Sequence, residues 1–123
     1  MKNQIDVSAV SAYLSDQSSP ETGEFAFAYT ITITNRGEQS AQLLSRHWII
    51  TDGNEEVQEV KGEGVVGEQP ILPPGASFEY TSGTLMQTPT GTMRGSYQMI
   101  AEDGTTFDAD IPIFTLKAMK TLH

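Results

Sequence analysis

The chain has 123 residues, no cysteine, and seven basic against sixteen acidic side chains for a formal charge of −9 and a pI near 4.4. That length fits one domain, read here as residues 1–123, able to bury a core without staples. The absence of cysteine excludes disulfides and thiolate metal sites, and the scattered Lys and Arg argue against a nucleic-acid partner, which needs clustered positive charge. No segment approaches the roughly 20 apolar residues of a membrane-spanning helix. The start, MKNQIDVSAV, lacks the apolar run of a signal peptide, so a cytoplasmic location is expected and a membrane partner is not.

Ile5 to Leu14 read as a strand with a slip: Ile5, Val7 and Ala9 share one parity, Val10, Ala12 and Leu14 the other, which predicts a β-bulge near Ala9–Val10. Gln17 to Gly23 are loop by composition. Phe25 to Asn35 give the cleanest signal, with Phe25, Phe27, Tyr29, Ile31 and Ile33 alternating with small or hydroxyl residues. Asn35 to Glu38 make a turn in which Gly37 can take positive φ.

Gln42 to Asp52 form the next strand, with Leu44, Arg46, Trp48 and Ile50 on one face and His47 and Ile49 on the other. Asp52-Gly53 is a hairpin signal, and Glu55 to Lys61 return as a short strand carrying Val57 and Val60. Ser77 to Thr81 alternate, Gln87 to Gly91 turn, and Thr92 to Glu102 place Met93, Tyr97, Met99 and Ala101 in one register. After Asp103-Gly104, Phe107, Ala109, Ile111 and Ile113 alternate, with Pro112 suited to an edge or to the end of pairing. About seven strands, polar turns and no helical period predict an all-β Greek-key sandwich of the fibronectin type III or immunoglobulin-like kind. The expected core joins Phe27, Tyr29, Ile31, Trp48, Tyr97, Phe107 and Ile111.

The remaining stretch, Lys61 to Gly83, holds five glycines and three of the six prolines. Within it Gly62-Glu63-Gly64-Val65-Val66-Gly67 spells the GxGxxG string of dinucleotide sites. In those sites the glycines open a helix whose N-terminal amides hold the pyrophosphate. Here Gly67 leads into Glu68-Gln69-Pro70-Ile71-Leu72-Pro73-Pro74, which cannot be helical, and Glu63 and Glu68 would face an anionic ligand. The string is therefore read as a shaped connection between strands, with phosphate binding by a helix-free backbone nest as the minority alternative. Its length, where a tight hairpin would serve, marks Gly62, Glu63, Gly64, Val65, Val66, Gly67, Glu68, Gln69 and Pro70 as the candidate binding surface, with Thr81, Ser82 and Gly83 beside it.

Candidates for chemistry are weaker. The two histidines, His47 and His123, lie far apart in sequence; Tyr80, Thr81 and Ser82 sit in no nucleophile pattern; Glu55-Glu56, Glu102-Asp103 and Asp108/Asp110 are turn carboxylates without a calcium-loop pattern. The residues predict no built metal site, with any magnesium or cobalt binding weak and carboxylate-based, no catalytic residue and no cofactor. They point to a non-enzymatic module binding a protein partner or small ligand, with self-association through a sheet edge left open.

Several consecutive motifs carry a family likeness. Arg46-His47-Trp48-Ile49-Ile50-Thr51-Asp52, Gly62 to Pro70, Phe78-Glu79-Tyr80-Thr81-Ser82-Gly83, Gly91-Thr92-Met93 and Gly95-Ser96-Tyr97-Gln98-Met99 resemble signatures of the ApaG family over nearly the whole chain. The resemblance implies a fibronectin type III-like sandwich and a label of cobalt and magnesium efflux or resistance whose molecular basis is unassigned. Related domains are fused to F-box substrate adaptors and to a polymerase-interacting protein in eukaryotes. No catalytic residues are implied. The resemblance leaves a metal- or nucleotide-responsive module in divalent-cation homeostasis as the second reading and a phosphate-ester hydrolase as the third.

Overall fold

A computed structural model describes residues 4–118; His123 lies outside them. Two sheets face each other. The smaller has the order β1-β2-β6, formed by Ile5–Tyr13, Phe25–Asn35 and Ser77–Met86. The larger has the order β4-β3-β7-β8, formed by Val57–Glu63, Ala41–Asp52, Thr90–Ala101 and Thr106–Lys117, with the two-residue β5 (Ile71–Leu72) also paired to β3. Every pairing is antiparallel. This is the all-β sandwich expected from the alternating runs, with eight strands because β5 adds a short one.

The core lies where inward rows of the two sheets meet. Phe27, Tyr29, Ile31, Trp48, Tyr97 and Ile111 are buried there, and half-buried Phe107 packs against them. Trp48 is its aromatic hub, edge-on to Tyr29, Tyr97 and Phe114 at centroid distances of 5.3, 6.5 and 6.0 Å. Such geometry sets the positive ring edge against the negative face. Tyr80 of β6 and Tyr97 of β7 close the gap between sheets with an OH···OH hydrogen bond of 2.6 Å.

Three expectations about register need correction. β1 has no bulge: its pairing with β2 is continuous from Ile5↔Asn35 to Tyr13↔Phe27, and Val10 simply faces solvent at 69% exposure. An edge strand can leave one face outward, so an apolar residue of the wrong parity does not force a slip. The bulges sit instead in β3 and β8. In β3, Leu43 pairs with Met99 but Ser45 with Gln98, so Leu44 is the extra residue and Leu43, not Leu44, is the buried one. In β8 the ladder passes from Met93↔Phe114 to Gly95↔Ile111, which leaves Pro112 and Ile113 unpaired. Pro112, having no N–H, fits this interruption on an edge strand. Ile113 is turned outward, and the inward row resumes at Phe114 and Leu116.

The turns also differ in detail. Gly37 does not take positive φ; its N–H instead donates to Asn35 Oδ1, and the Asn35 amide bonds the carbonyls of Gln39 and Leu72. The hairpin after Asp52 forms, with Glu55 at φ 67 as its left-handed residue rather than Gly53. Residues 17–23 remain a connection, now with short 3₁₀ turns over Ser15–Gln17 and Pro20–Thr22.

Candidate functional site

β7 occupies one edge of β3 along its whole length, so β4 and β5 must share the other. They act as one edge strand interrupted by an excursion, residues 64–70. The Leu44 bulge is what admits it. Displaced from the ladder to β7, the Leu44 carbonyl accepts from Gly64 N–H and from Gln69 Nε2, both at 2.9 Å. The N–H of Leu43 donates to the Pro70 carbonyl at 3.0 Å, and Gln42 Nε2 donates to the Gln69 carbonyl at 3.1 Å.

The excursion is itself a tight hairpin. Val65 and Glu68 exchange both backbone hydrogen bonds at 2.8 Å, and the two residues between them, Val66 and Gly67, have φ of 42° and 81°. Positive φ at both central positions is the pattern of a type I′ turn, which favours Asn-Gly. A β-branched Val in this conformation is an outlier that stores strain.

The three glycines of the GxGxxG string thus have separate structural roles. A Cβ on Gly62 would lie 2.7 Å from the Arg46 guanidinium carbon. Gly64 is left-handed at φ 67°, and a Cβ there would stand 2.4 Å from the Glu68 carbonyl oxygen. Gly67 meets nothing within 4 Å, so its φ alone sets the requirement. No helix follows, as the prolines predict.

Arg46 seals the base. Its parity places it in the inward row with Trp48, and its Nη1 donates to the carbonyls of Glu63 and Gly64 at 3.1 and 2.8 Å. Four apolar residues of the stretch divide evenly. Val65 and Leu72 are buried at 1% and 3%, while Val66 and Ile71 are exposed at 56% and 63%. Glu63 and Glu68 face solvent, as expected. Gln69 is also exposed, but its amide is committed to Leu44, so it braces the hairpin as well as facing outward.

The structure separates Thr81, Ser82 and Gly83 from this surface. They lie in the middle of β6, in the other sheet, paired with Thr30, Tyr29 and Ala28. The Thr81 hydroxyl bonds that of Thr30 at 2.8 Å. Among the described residues no hydrogen bond links them to residues 62–70. Thr81 to Gly83 follow the loop closely in sequence, but the chain changes sheets between β5 and β6.

His47 points to the outer face of the larger sheet, where Nε2 lies 2.9 Å from Glu59 Oε2. A shallow cleft of about 490 Å³ opens beside it, walled by Arg46, Lys61, Gly62 and Glu63. The strongly perturbed groups are the buried pair Tyr97 and Tyr80. Burial raises both phenols, Tyr80 to about 12 and Tyr97 further. Their hydroxyls are spent on each other. Asp103 is held below its ordinary range by hydrogen bonds from Thr105. Among the described residues no three His, Cys, Asp or Glu side chains are placed to hold a metal ion, and none of their helices is long and apolar enough to cross a membrane.

The family model described as the ApaG domain matches residues 15–101. The chain belongs to the ApaG family. It is 61% identical over 122 residues to Protein ApaG of Thiobacillus denitrificans, covering 99% of this chain and 96% of the relative. It is 60% identical to Protein ApaG of Pseudomonas paraeruginosa, with 99% and 97% covered. Among solved structures it resembles a Bordetella pertussis protein described as ApaA, with TM-score 0.93, 51% identity and 97% of each chain covered. The matched region takes in the Leu44 bulge, Arg46 and the whole hairpin, so the candidate surface belongs to the ApaG domain itself.

Proposed function

We propose that this ApaG-family chain is a non-enzymatic, cytoplasmic recognition module, and that the hairpin centred on Val66-Gly67 is its contact with a protein partner. One observation carries the reading: the hairpin tip holds a β-branched residue in left-handed backbone and leaves it exposed. Strain of this kind persists only where the surroundings over-determine the conformation. Here they do so through Gly64 and Gln69 on the Leu44 carbonyl, Arg46 on two loop carbonyls, and buried Val65 beneath. The result is a rigid apolar knob with Glu63 and Glu68 around it, and a preordered contact loses little entropy on binding. The commitment of the perturbed tyrosines to packing supports a binding role over catalysis. On this reading the cation-resistance label attached to the family would be exercised through the partner, with no ion held by this chain.

The test is affinity capture from extract of the source cells with the wild-type chain and with Val66→Asp and Glu68→Lys combined. Gln69 is left intact because its amide holds the hairpin. The expected result is a melting temperature no lower than that of the wild type and loss of the captured partner. A double variant that captures the same proteins and complements a deletion strain in full would overturn the proposal.

A further inference from the structure

A different surface, at the far end of β4 from the hairpin, carries a second inference. A sandwich of open sheets has four edges, and three of them here are blunted. β8 carries Asp108, Asp110 and the Pro112 bulge, and it is tied to β1 by the Ser11 hydroxyl on the Thr115 carbonyl at 2.9 Å. β4 carries Glu59, Lys61 and Glu63. Charges, prolines and bulges are the devices that keep sheet edges from pairing with other chains. β6 has almost none of them. Its ten residues run in unbroken register with β2, contain no proline, and bear one charge, Glu79. Beyond that ladder, no backbone group of residues 77–86 bonds to another described residue.

The layers are also unequal. The smaller sheet stops at β6 while the larger continues to β4, so among the described residues the inward row of β4 overhangs a position that no strand fills. Gln58 in that row is exposed and Val60 only half-buried. Between the end of β6 and the start of β4 a cleft of about 270 Å³ opens. Ile50 and Met86 form its apolar floor, Val57 and Leu85 flank it at 63% and 60% exposure, and Asp52 and Glu56 supply its charge. Among the described residues no basic side chain lines it.

We infer that β6 accepts a fourth strand from a partner protein: an extended segment, antiparallel to β6, whose apolar side chains alternate and whose Lys or Arg reaches the Asp52–Glu56 end. Backbone bonds to the open edge supply affinity and the alternate side chains supply specificity, the logic of strand addition. The charge of the cleft selects a basic segment. It also disfavours a second copy of this chain, because antiparallel self-pairing of β6 would bring the copy's Glu79 towards Asp52 and Glu56, twice by symmetry.

The experiment uses the full chain as bait for a random library of peptides about twelve residues long, a length that spans β6. Recovered peptides are synthesised and titrated, and hydrogen exchange is followed with and without them. The expected peptides alternate apolar and polar residues and carry Lys or Arg. Their binding slows exchange in residues 77–86 and weakens at least about tenfold on Glu56→Lys or Leu85→Lys. It is unchanged on Val66→Asp, which separates this surface from the hairpin. Four results would each overturn the inference: recovery of no binder tighter than about 1 mM, acidic consensus peptides, protection confined to residues 64–70, or a dimer in sedimentation whose β6 amides are already slow without peptide.

Discussion

Replacing Val66 with Asn should stabilise the protein, an unusual sign for a substitution of an apolar residue. The left-handed conformation costs an ordinary L-residue about 1–2 kcal/mol, and Asn escapes most of it because its short polar side chain tolerates that region. Against this stands the packing Val66 would lose. With 56% of the residue exposed, less than half of the roughly 1.5–3 kcal/mol of full Val burial is at stake, or about 1 kcal/mol. The balance favours Asn by about 0.5–1 kcal/mol, a rise in melting temperature of about 2–5 °C for a domain of this size. Urea titration followed by circular dichroism and by fluorescence of Trp48, the sole tryptophan, gives the free energy from two probes. Val66→Thr is the control, because it keeps the branched Cβ and so keeps the strain. The reasoning is refuted if Asn destabilises the fold by more than about 0.5 kcal/mol, or if Thr stabilises it as much as Asn does. If the exposed methyls of Val66 contact a partner, the stabilised Asn variant should nonetheless bind it less well.

Gly64→Ala should cost about 2–3 kcal/mol in urea titration, since it adds left-handed strain to a Cβ placed 2.4 Å from the Glu68 carbonyl oxygen; a loss under about 0.5 kcal/mol would show that the hairpin relaxes freely. Trp48→Ala should cost about 3–5 kcal/mol, because the ring is 2% exposed and touches three aromatic neighbours. Tyr97→Phe should cost about 1–3 kcal/mol at neutral pH by stranding the Tyr80 hydroxyl. The same pair sets the alkaline limit. A phenol whose folded pKa is raised stabilises the fold fully below its ordinary value near 10, and that contribution is lost as pH rises towards the folded value, about 12 for Tyr80. From pH 10 to 11 the wild type should lose about 1 kcal/mol for each of the two groups, because the unfolded phenols are already half ionised at pH 10, and Tyr97→Phe about half that total. Equal losses in the two proteins would mean the hydroxyls are not protected from solvent.

Sequence periodicity located the strands well because burial on one face imposes a period of two, and residues 27–35 obey it without interruption. It failed where the period is broken for a reason outside the strand. Leu44 alternates correctly with Trp48, so sequence alone places it in the core; the structure pushes it out because the chain beyond Gly64 needs the Leu44 carbonyl. Ile113 fits its run equally well and is turned out by the bulge at Pro112. At Val10 the opposite error arises, since a lone apolar residue on the open face of an edge strand carries no packing information. Periodicity reports which residues could face a core, and bulges depend on hydrogen bonds made by residues distant in sequence.

The candidate surface was legible in outline for the same reason that its detail was not. Prolines after Gly67 rule out a phosphate-binding helix, and that inference needs only local chemistry. The division of labour among Val65, Val66, Ile71 and Leu72 needs the shared edge of β3. Because β4 and β5 lie end to end along that edge, the residues joining them must rise off the sheet and return within seven positions. A two-residue turn is the shortest way back. It points one valine down into the core and lifts the next away from it, since consecutive side chains oppose each other. Val65 buried and Val66 exposed are therefore a consequence of the topology. The identity of the residue at the tip is not. Asn or Gly there would satisfy the turn with less strain, so what the fold leaves unexplained in this hairpin is an apolar side chain held out to solvent, and that residue is where a partner's contact would be felt first.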